Sequence, residues 1–222
     1  MANAMIGKKL GMTRIFDEKG YVVPVTVIQA EPNVIVQRKT AEKDGYDALQ
    51  VGIEKRKRSR VNSPLTGHFG AAKVEPRRHL REVPCAPEDA RQPGEELRVE
   101  EVFEVGQIVK IAGIMKGRGF AGGIKRHGFH GGPASHGSKV HRAPQSTGAT
   151  DAARVFAGVR KPGHMGACRS TVSGLKIVKI DTDRNLLLVR GAVPGAAGGQ
   201  VIVRPSIKAG RLAARKTLAP RK

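Results

Sequence analysis

The chain has 222 residues and carries 40 Lys and Arg against 19 Asp and Glu, which gives a formal net charge of +21. Only 39% of its residues are hydrophobic, eight are aromatic (six Phe and two Tyr) and 28 are glycine, so a core can form but cannot use the whole chain. A basic excess of this size favours a polyanionic partner such as a nucleic acid, and with no apolar run of signal-peptide or membrane-helix length we expect neither secretion nor a membrane span.

Two further features narrow the class of protein. An anionic membrane surface is the alternative polyanion, but binding to it needs an amphipathic helix or a lipid anchor. The two cysteines, Cys85 and Cys168, make no disulfide framework and fit a reducing cytosol. We therefore expect a cytoplasmic protein without a membrane partner.

The first part of the chain predicts antiparallel strands. Residues 10–54 alternate apolar and polar positions and are rich in β-branched side chains, a pattern typical of half-buried strands. Turn signals at residues 17–20 and 42–45 separate the strands into two hairpin-like units. Pro24 predicts that the second strand lies at an edge or contains a bulge, because proline cannot donate to the ladder. The predicted strands are Met12–Phe16, Tyr21–Gln29, Asn33–Thr40 and Tyr46–Glu54.

The next part of the chain changes the sign of its charge. Residues 55–60 hold five cations in six positions, whereas residues 82–104 carry eight acids against two arginines. A short helix is predicted at Pro64–Val74, because proline suits a first helical position. Phosphate would repel so acidic a surface, and we therefore interpret residues 61–104 as an acidic-rimmed insertion on the solvent side.

Strand character returns at Gln107–Ile114 and then stops abruptly. Residues 113–170 contain 13 glycines, ten Lys and Arg, five of the seven histidines and one acid, with no helical or alternating period. Structureless segments longer than ~12–15 residues are uncommon in compact domains and are usually functional or disordered. Strands are predicted again at Thr171–Asp181, Asn185–Gly191 and Gln200–Arg204, and residues 204–222 carry seven cations and no acid.

Together these segments predict a mainly β fold, an antiparallel β-barrel with a small α/β insertion and a long basic Gly-rich loop extension. We divide the chain into the first part of the barrel (1–60), the insertion (61–104), a barrel strand (105–114), the extended loop (115–166), the last part of the barrel (167–205) and a basic C-terminal tail (206–222).

Residues 117–122 contain the spacing GxGxxG directly after a predicted strand. A dinucleotide site would need a helix next and an acid ~20 residues further on, but the first acid is Asp151. A kinase loop would need a following valine and a strand lysine that are missing. We interpret the glycines as positions where the backbone closely approaches another surface, and the interleaved cations identify that surface as phosphate.

Four histidines cluster in the sequence of the loop: His127, His130, His136 and His141. Zinc sites with histidine usually add Cys or a carboxylate, and seven nearby cations would oppose a dication. Imidazoles that stack on bases or bond phosphates fit better, alongside the rings of Phe120, Phe129 and Phe156. No Ser–His pair has an acid nearby to orient it, so the sequence predicts no catalytic residue, no metal and no cofactor.

The chain resembles the family of bacterial large-subunit ribosomal protein three from about residue 5 to residue 205, least over residues 55–105. The segments that carry the resemblance are Ile6–Phe16 (IGKKLGMTRIF), Lys116–Gly122 (KGRGFAG), Lys125–Phe129 (KRHGF), Gly131–Gly137 (GGPASHG), His141–Pro144 (HRAP) and Asn185–Gly195 (NLLLVRGAVPG).

The resemblance implies a translation-protein-type β-barrel bound to 23S rRNA near its 3′ end, where the family nucleates assembly of the 50S subunit. It also implies that the long loop extends toward the peptidyl-transferase centre without supplying catalytic groups. The expected partners are 23S rRNA and neighbouring large-subunit proteins, with no small-molecule substrate and no homo-oligomer.

On this basis the candidate rRNA-binding residues are basic or histidine side chains: Lys8, Lys9, Arg56, Lys57, Arg58, Lys116, Arg118, Lys125, Arg126, His127, His130, His136, Lys139, His141, Arg142, Arg154, Arg160 and Lys161. The expected loop tip near the peptidyl-transferase region consists of Gln145, Ser146, Thr147, Gly148, Ala149, Thr150 and Asp151. The tip departs from the family pattern, since Ala149 stands where some members carry a methylated glutamine.

Two other classes of protein stay open at this point. A free-standing nucleic-acid-binding architectural protein explains the charge equally well. It does not explain 58 residues without a core, which need an enclosing partner to offset an ordering entropy of ~1–2 kcal/mol per residue. An enzyme with a flexible lid would need carboxylates or a nucleophile that converge on a pocket.

Overall fold

The computed structural model describes residues 4–87 and 89–206, and the described chain is mainly β. Its strands are β1 (Met5–Phe16), β2 (Val22–Gln29), β3 (Asn33–Lys39), β4 (Ala48–Lys55), β5 (Arg77–Pro84), β6 (Glu96–Leu97), β7 (Ile108–Ile114), β8 (Phe120–Ala121), β9 (Gly163–His164), β10 (Arg169–Asp181), β11 (Leu186–Arg190) and β12 (Gln200–Pro205). Its α-helices are α1 (Ala41–Asp44), α2 (Ser63–Ala71), α3 (Val99–Val102) and α4 (Gly123–His127), with a 3-10 turn at Arg58–Arg60.

The described residues fall into two compact units. One comprises the described parts of residues 1–114 and 169–222, and the other is residues 115–168. In chain order the second unit is therefore the connection between β7 and β10. Most of the predicted basic tail, residues 207–222, lies outside the described residues.

Six antiparallel strands close a barrel in the order β1-β12-β7-β10-β11-β2. β1 closes it, because its first residues pair with β12 (Met5↔Val203) and its later residues pair with β2 (Phe16↔Val22). Alternate side chains of the strands point inward, as a pleated sheet requires. They form the buried cluster of Met5, Ile28, Val109, Ile111, Ile177, Leu187, Val189, Val201 and Val203. The predicted mainly β, antiparallel fold is confirmed.

The interpretation of Pro24 is wrong. Its strand, β2, is interior to the barrel and pairs with both β1 and β11, and the bulge of the β1–β2 pair lies in β1 between Lys9 and Gly11. Pro24 is accommodated because pairing with β11 ends one residue away, at Arg190↔Val25. Proline's missing N–H therefore lies just beyond the last pair with β11, and its carbonyl accepts from Gly191 N at 2.9 Å.

The second predicted hairpin is formed, but it lies outside the barrel. β3 and β4 belong to a separate four-stranded sheet in the order β5-β4-β3-β6, whereas residues 1–60 were all expected in the barrel. Alternation identifies a strand without identifying its partner. The partner here, β5, has the sequence RRHLREVP, whose four charged side chains conceal a strand.

The insertion is part of the hydrophobic core, contrary to its interpretation as a solvent-side element. Its helix α2 forms close to the predicted place and buries Phe69. Val83 and Leu97 are fully buried in the second sheet's cluster, and Phe103 is buried in the barrel's cluster. The acids lie between these apolar positions, so the summed charge of the segment hid its buried side chains. No helix in the described part of the chain is long and apolar enough to cross a membrane.

Candidate nucleic-acid interface

Residues 115–168, called the loop segment below, combine high charge with high exposure. They contain nine Lys and Arg and a single acid, Asp151, and every residue from 141 to 151 is exposed. None of the three buried apolar clusters found among the described residues includes a residue of this segment. The segment is therefore shaped by backbone and polar contacts rather than by burial.

The two ends of the loop segment pair as a narrow ribbon, which we call the stem (residues 115–121 and 163–168). β8 pairs with β9 through Phe120↔His164, and the ribbon continues through Arg118 N to Met165 O at 2.8 Å. Gly166 has φ +78°, and a Cβ there would overlap the Lys116 carbonyl oxygen. The close approach of the two halves of the stem therefore requires glycine at this position.

The short helix α4 forms hydrogen bonds to the chain near Lys161, just before the second half of the stem. It ends at His127 and is capped by Gly128, which has φ +70° and donates its N–H to Ile124 O at 2.9 Å. Arg126 Nη1 donates to the carbonyl oxygen of Lys161 at 2.7 Å, and His127 Nε2 lies 3.1 Å from the same oxygen. These two predicted rRNA contacts thus also hold the loop segment in shape. Arg126 is exposed and uses one of its five N–H donors in this bond.

The middle of the loop segment, residues 131–141, folds into a closed turn. Gly131 and Gly132 pass so close to the carbonyls of His141 and Val140 that side chains there would overlap them. His141 Nδ1 lies 2.9 Å from Pro133 O. Among the described residues, no group of three or more His, Cys, Asp or Glu side chains is arranged to hold a metal ion.

The predicted tip residues, 145–151, are all exposed. Ser146 Oγ donates to Gly148 O at 3.0 Å, so the tip has local order. Beyond the tip the Arg154 guanidinium lies 5.3 Å from the centre of the Phe156 ring. Phe156 is 53% exposed and Phe120 is 80% exposed, and both rings are open to stacking. Phe129 is half-buried against Gly123.

The cations predicted outside the loop segment differ sharply in their surroundings. Arg56, Lys57 and Arg58 are exposed. Lys8 Nζ forms an ion pair with Glu54 Oε1 at 3.2 Å. Lys9 is only 9% exposed, and its Nζ donates to Val193 O at 2.8 Å and Gly195 O at 3.1 Å. The Lys9 ammonium therefore binds backbone within the barrel unit.

Three arginines that the sequence did not single out, Arg81, Arg169 and Arg204, line one cleft of the barrel unit. They belong to β5, β10 and β12, and outward cations on strands are typical of a solvated face. Their convergence depends on which strands lie side by side, and that pairing is not readable from the sequence.

A closed antiparallel barrel with an exposed basic loop segment that lacks a core defines a class: β-barrel proteins whose charge suits a polyanionic partner. The family model described as "Ribosomal protein L3" matches residues 81–186. The "Large ribosomal subunit protein uL3" of Pelotomaculum thermopropionicum is 54% identical over 209 residues, which cover 94% of this chain and 99% of that protein.

The protein of the same name from Carboxydothermus hydrogenoformans is 51% identical over 208 residues, covering 94% of this chain and 99% of that protein. The one from Desulforudis audaxviator is also 51% identical over 208 residues, with 94% and 97% covered. At this identity over nearly the full length of both chains, the protein belongs to the ribosomal protein L3 family.

Proposed function

We propose that this protein is a structural constituent of the large ribosomal subunit that acts in the cytoplasm by binding 23S rRNA near the 3′ end. The names of its relatives, large ribosomal subunit proteins with 51–54% identity, support the assignment to the subunit. The net charge of +21 supports RNA as the principal partner, with neighbouring large-subunit proteins as further partners. The role is structural, and no side chain is assigned a catalytic function.

The observation that carries rRNA binding is the loop segment. Its nine cations face one acid, and within the described residues none of these cations forms an ion pair. A segment that contributes no residue to a buried apolar cluster does not recover its ordering entropy by itself. RNA phosphates would neutralise the cations, and bases would stack on exposed rings such as Phe120 and Phe156.

The geometry supports a division of roles along the loop segment. Lys116 and Arg118 of the stem, and Lys125 of the adjoining helix α4, are exposed on a hydrogen-bonded backbone, so their charges are presented on an ordered backbone. The tip has exposed, mostly uncharged side chains. We propose that the barrel and stem anchor the protein and nucleate 50S assembly, and that the tip extends toward the peptidyl-transferase centre and tunes it.

Two measurements test the assignment to the subunit and to RNA. In a sucrose gradient at high salt the protein should co-migrate with the large subunit, whereas a slow soluble peak contradicts the proposal. The affinity for a transcript of the 3′ region of 23S rRNA should fall with salt, with a slope of log K against log salt of about −0.7 per phosphate contact on single strands. A slope near zero excludes phosphate-dominated binding.

Two variants test the division of roles. Deleting residues 143–155 removes the tip and leaves the stem cations, so incorporation into subunits should survive while late maturation or tRNA accommodation slows. The triple reversal Lys116→Glu, Arg118→Glu and Lys125→Glu should abolish docking, because it places repulsion beside phosphates. Arg126 is left unchanged, since its bond to Lys161 O shapes the loop segment.

The matched control reverses the same number of charges at exposed lysines elsewhere: Lys19→Glu, Lys43→Glu and Lys179→Glu. This control lowers the net charge by the same amount but leaves Lys116, Arg118 and Lys125 in place, so it should weaken rRNA binding less than the triple reversal does. If the tip deletion abolishes binding while the triple reversal is tolerated, the roles are assigned the wrong way round.

A further inference from the structure

A second basic site lies on the barrel unit, and none of the residues that line it was among the candidate rRNA-binding residues predicted from the sequence. A cleft of about 280 Å³ opens where the outer face of β7, β10 and β12 meets β5 of the second sheet. Its charged lining consists of Arg81, Arg169, Arg204 and Glu82, and Gln200 adds an amide. Between these groups lie apolar side chains.

The strand register explains why the groups converge. Arg169 is paired with Ile114, Ile202 with Ala112, and Arg204 with Lys110. Residues two apart along a strand point to the same face, so Gln200, Ile202 and Arg204 share the outer face of β12. The small side chain of Ala112 leaves room between them.

Two of these side chains have buried nitrogen atoms without a partner. Arg204 Nε and Gln200 Nε2 are inaccessible to solvent and make no hydrogen bond. Buried donors are nearly always satisfied, because a lost bond to water is not recovered. Burial, and secondarily the positive charge of Arg169, lower the pKa of Arg204. The cleft thus brings together two buried N–H donors and several positive charges, and neither of these donors has an acceptor.

The acid at the rim does not neutralise the site. Glu82 accepts a hydrogen bond from the Tyr46 hydroxyl at 2.9 Å and lies 3.5 Å from Lys39 Nζ. Across residues 4–87 and 89–206, no carboxylate forms an ion pair with Arg81, Arg169 or Arg204. The cleft is therefore an electropositive cavity, because no acid in these residue ranges pairs with its arginines.

We propose that this cleft binds one backbone phosphate of RNA, with Arg81 and Arg169 balancing its charge. On binding, the Arg204 and Gln200 side chains turn so that Nε and Nε2 donate to the phosphate oxygens, a side-chain rearrangement that is common at interfaces. The proposal rests on rRNA binding and adds a specific contact on the barrel. Guanidinium groups suit phosphate oxygens in geometry and charge. Ile114, 58% exposed at the rim, offers an apolar contact to a ribose or base, which a hydrated free phosphate would not use.

The test uses the full chain, the double variant Arg169→Gln/Arg204→Gln and a matched control, Arg14→Gln/Arg190→Gln. The control removes two exposed barrel arginines that do not line the cleft. The 15Nε resonance of Arg204, identified by its loss in the single variant Arg204→Gln, is followed while inorganic phosphate or the 23S transcript is added. Transcript affinity is measured across a salt series for all three proteins.

The proposal expects the transcript to shift the Arg204 resonance. The double variant should bind RNA about tenfold more weakly, with a salt slope shallower by about 0.7, and the control should lose less. Without RNA, the variant should melt at the same temperature as the parent protein or higher, because it removes like charges and an unsatisfied donor. A purely structural arginine would lower the melting temperature instead.

Three results overturn the proposal, and they are distinguishable. If the transcript binds, the resonance stays fixed and the double variant binds as tightly as the parent, the cleft is not a contact although rRNA binding stands. If inorganic phosphate shifts the resonance and the transcript does not, the cleft is a site for free anions. If no protein binds the transcript, the proposed function fails together with this site.

Discussion

The adjacent lysines Lys8 and Lys9 should differ strongly in how much stability the same substitution costs. Lys9→Met removes an ammonium whose Nζ donates to Val193 O at 2.8 Å and Gly195 O at 3.1 Å. Hydrogen bonds to charged groups contribute about 1.5–3 kcal/mol each and do not add fully, so we expect a loss of about 2–4 kcal/mol. Lys8→Met breaks an ion pair of a side chain that is 41% exposed, and such pairs contribute about 0.2–1 kcal/mol.

Equilibrium unfolding in urea, with thermal melting as a second measurement, separates the two variants. For a chain of 150–250 residues each kcal/mol lowers the melting temperature by about 2–4 °C, so Lys9→Met should melt roughly 4–16 °C lower and Lys8→Met within about 4 °C of the parent. The salt slope of rRNA binding, measured on folded protein, should be unchanged by Lys9→Met, because that ammonium is already bound to carbonyls. Equal, small effects at both positions would refute the structural role of Lys9.

Three further predictions follow from single features. Gly166→Ala should open the stem and speed its cleavage by trypsin without changing the urea midpoint of the barrel, since φ +78° and the Lys116 carbonyl both disfavour a Cβ. Burial raises the pKa of Glu54, but the hydrogen bond and charge of Lys8 outweigh it and the pKa is lowered below 4.5. The ionised carboxylate therefore stabilises the fold above about pH 4.5 and loses this effect as the pH falls through the lowered pKa, so the melting temperatures of parent and Glu54→Gln should converge at acid pH. In the free protein, trypsin should cleave after Arg142 and Arg154 before it cleaves in the stem, and simultaneous cleavage would contradict the hydrogen-bonded ribbon.

Most of the barrel strands were predictable because their signals are local. Strand β7 was predicted one residue longer than it is, and β2 and β11 nearly at their observed bounds. What the sequence does not encode locally is partnership. β3 and β4 carry the same alternation as the barrel strands, yet they pair with β5 and β6. The alternation of a strand specifies a buried face but not which strand will cover its edge.

The same limit applies to the candidate site, where the sequence gives the number of charges but not the contacts that each charged side chain makes. Composition identified the loop segment as a basic surface, because its nine cations and one acid can be counted without knowing which residues contact one another. It could not distinguish the exposed Lys125 from Arg126, whose guanidinium bonds Lys161 O 35 residues away. Nor could it distinguish Lys8 from Lys9. A cation's use depends on the acceptors that the fold brings to it.

The loop segment and the cleft, the two basic surfaces of this protein, differ in how much free energy they cost the folded protein when RNA is absent. Exposed cations of the loop segment remain hydrated, and salt screens their mutual repulsion, so the loop segment can supply general, salt-sensitive affinity. Arg204 and Gln200 have already lost water from a nitrogen atom and have no acceptor in return. Only an anion in the correct position recovers that loss, so on our proposal the cleft sets the position of the barrel on the RNA while the loop segment supplies most of the attraction.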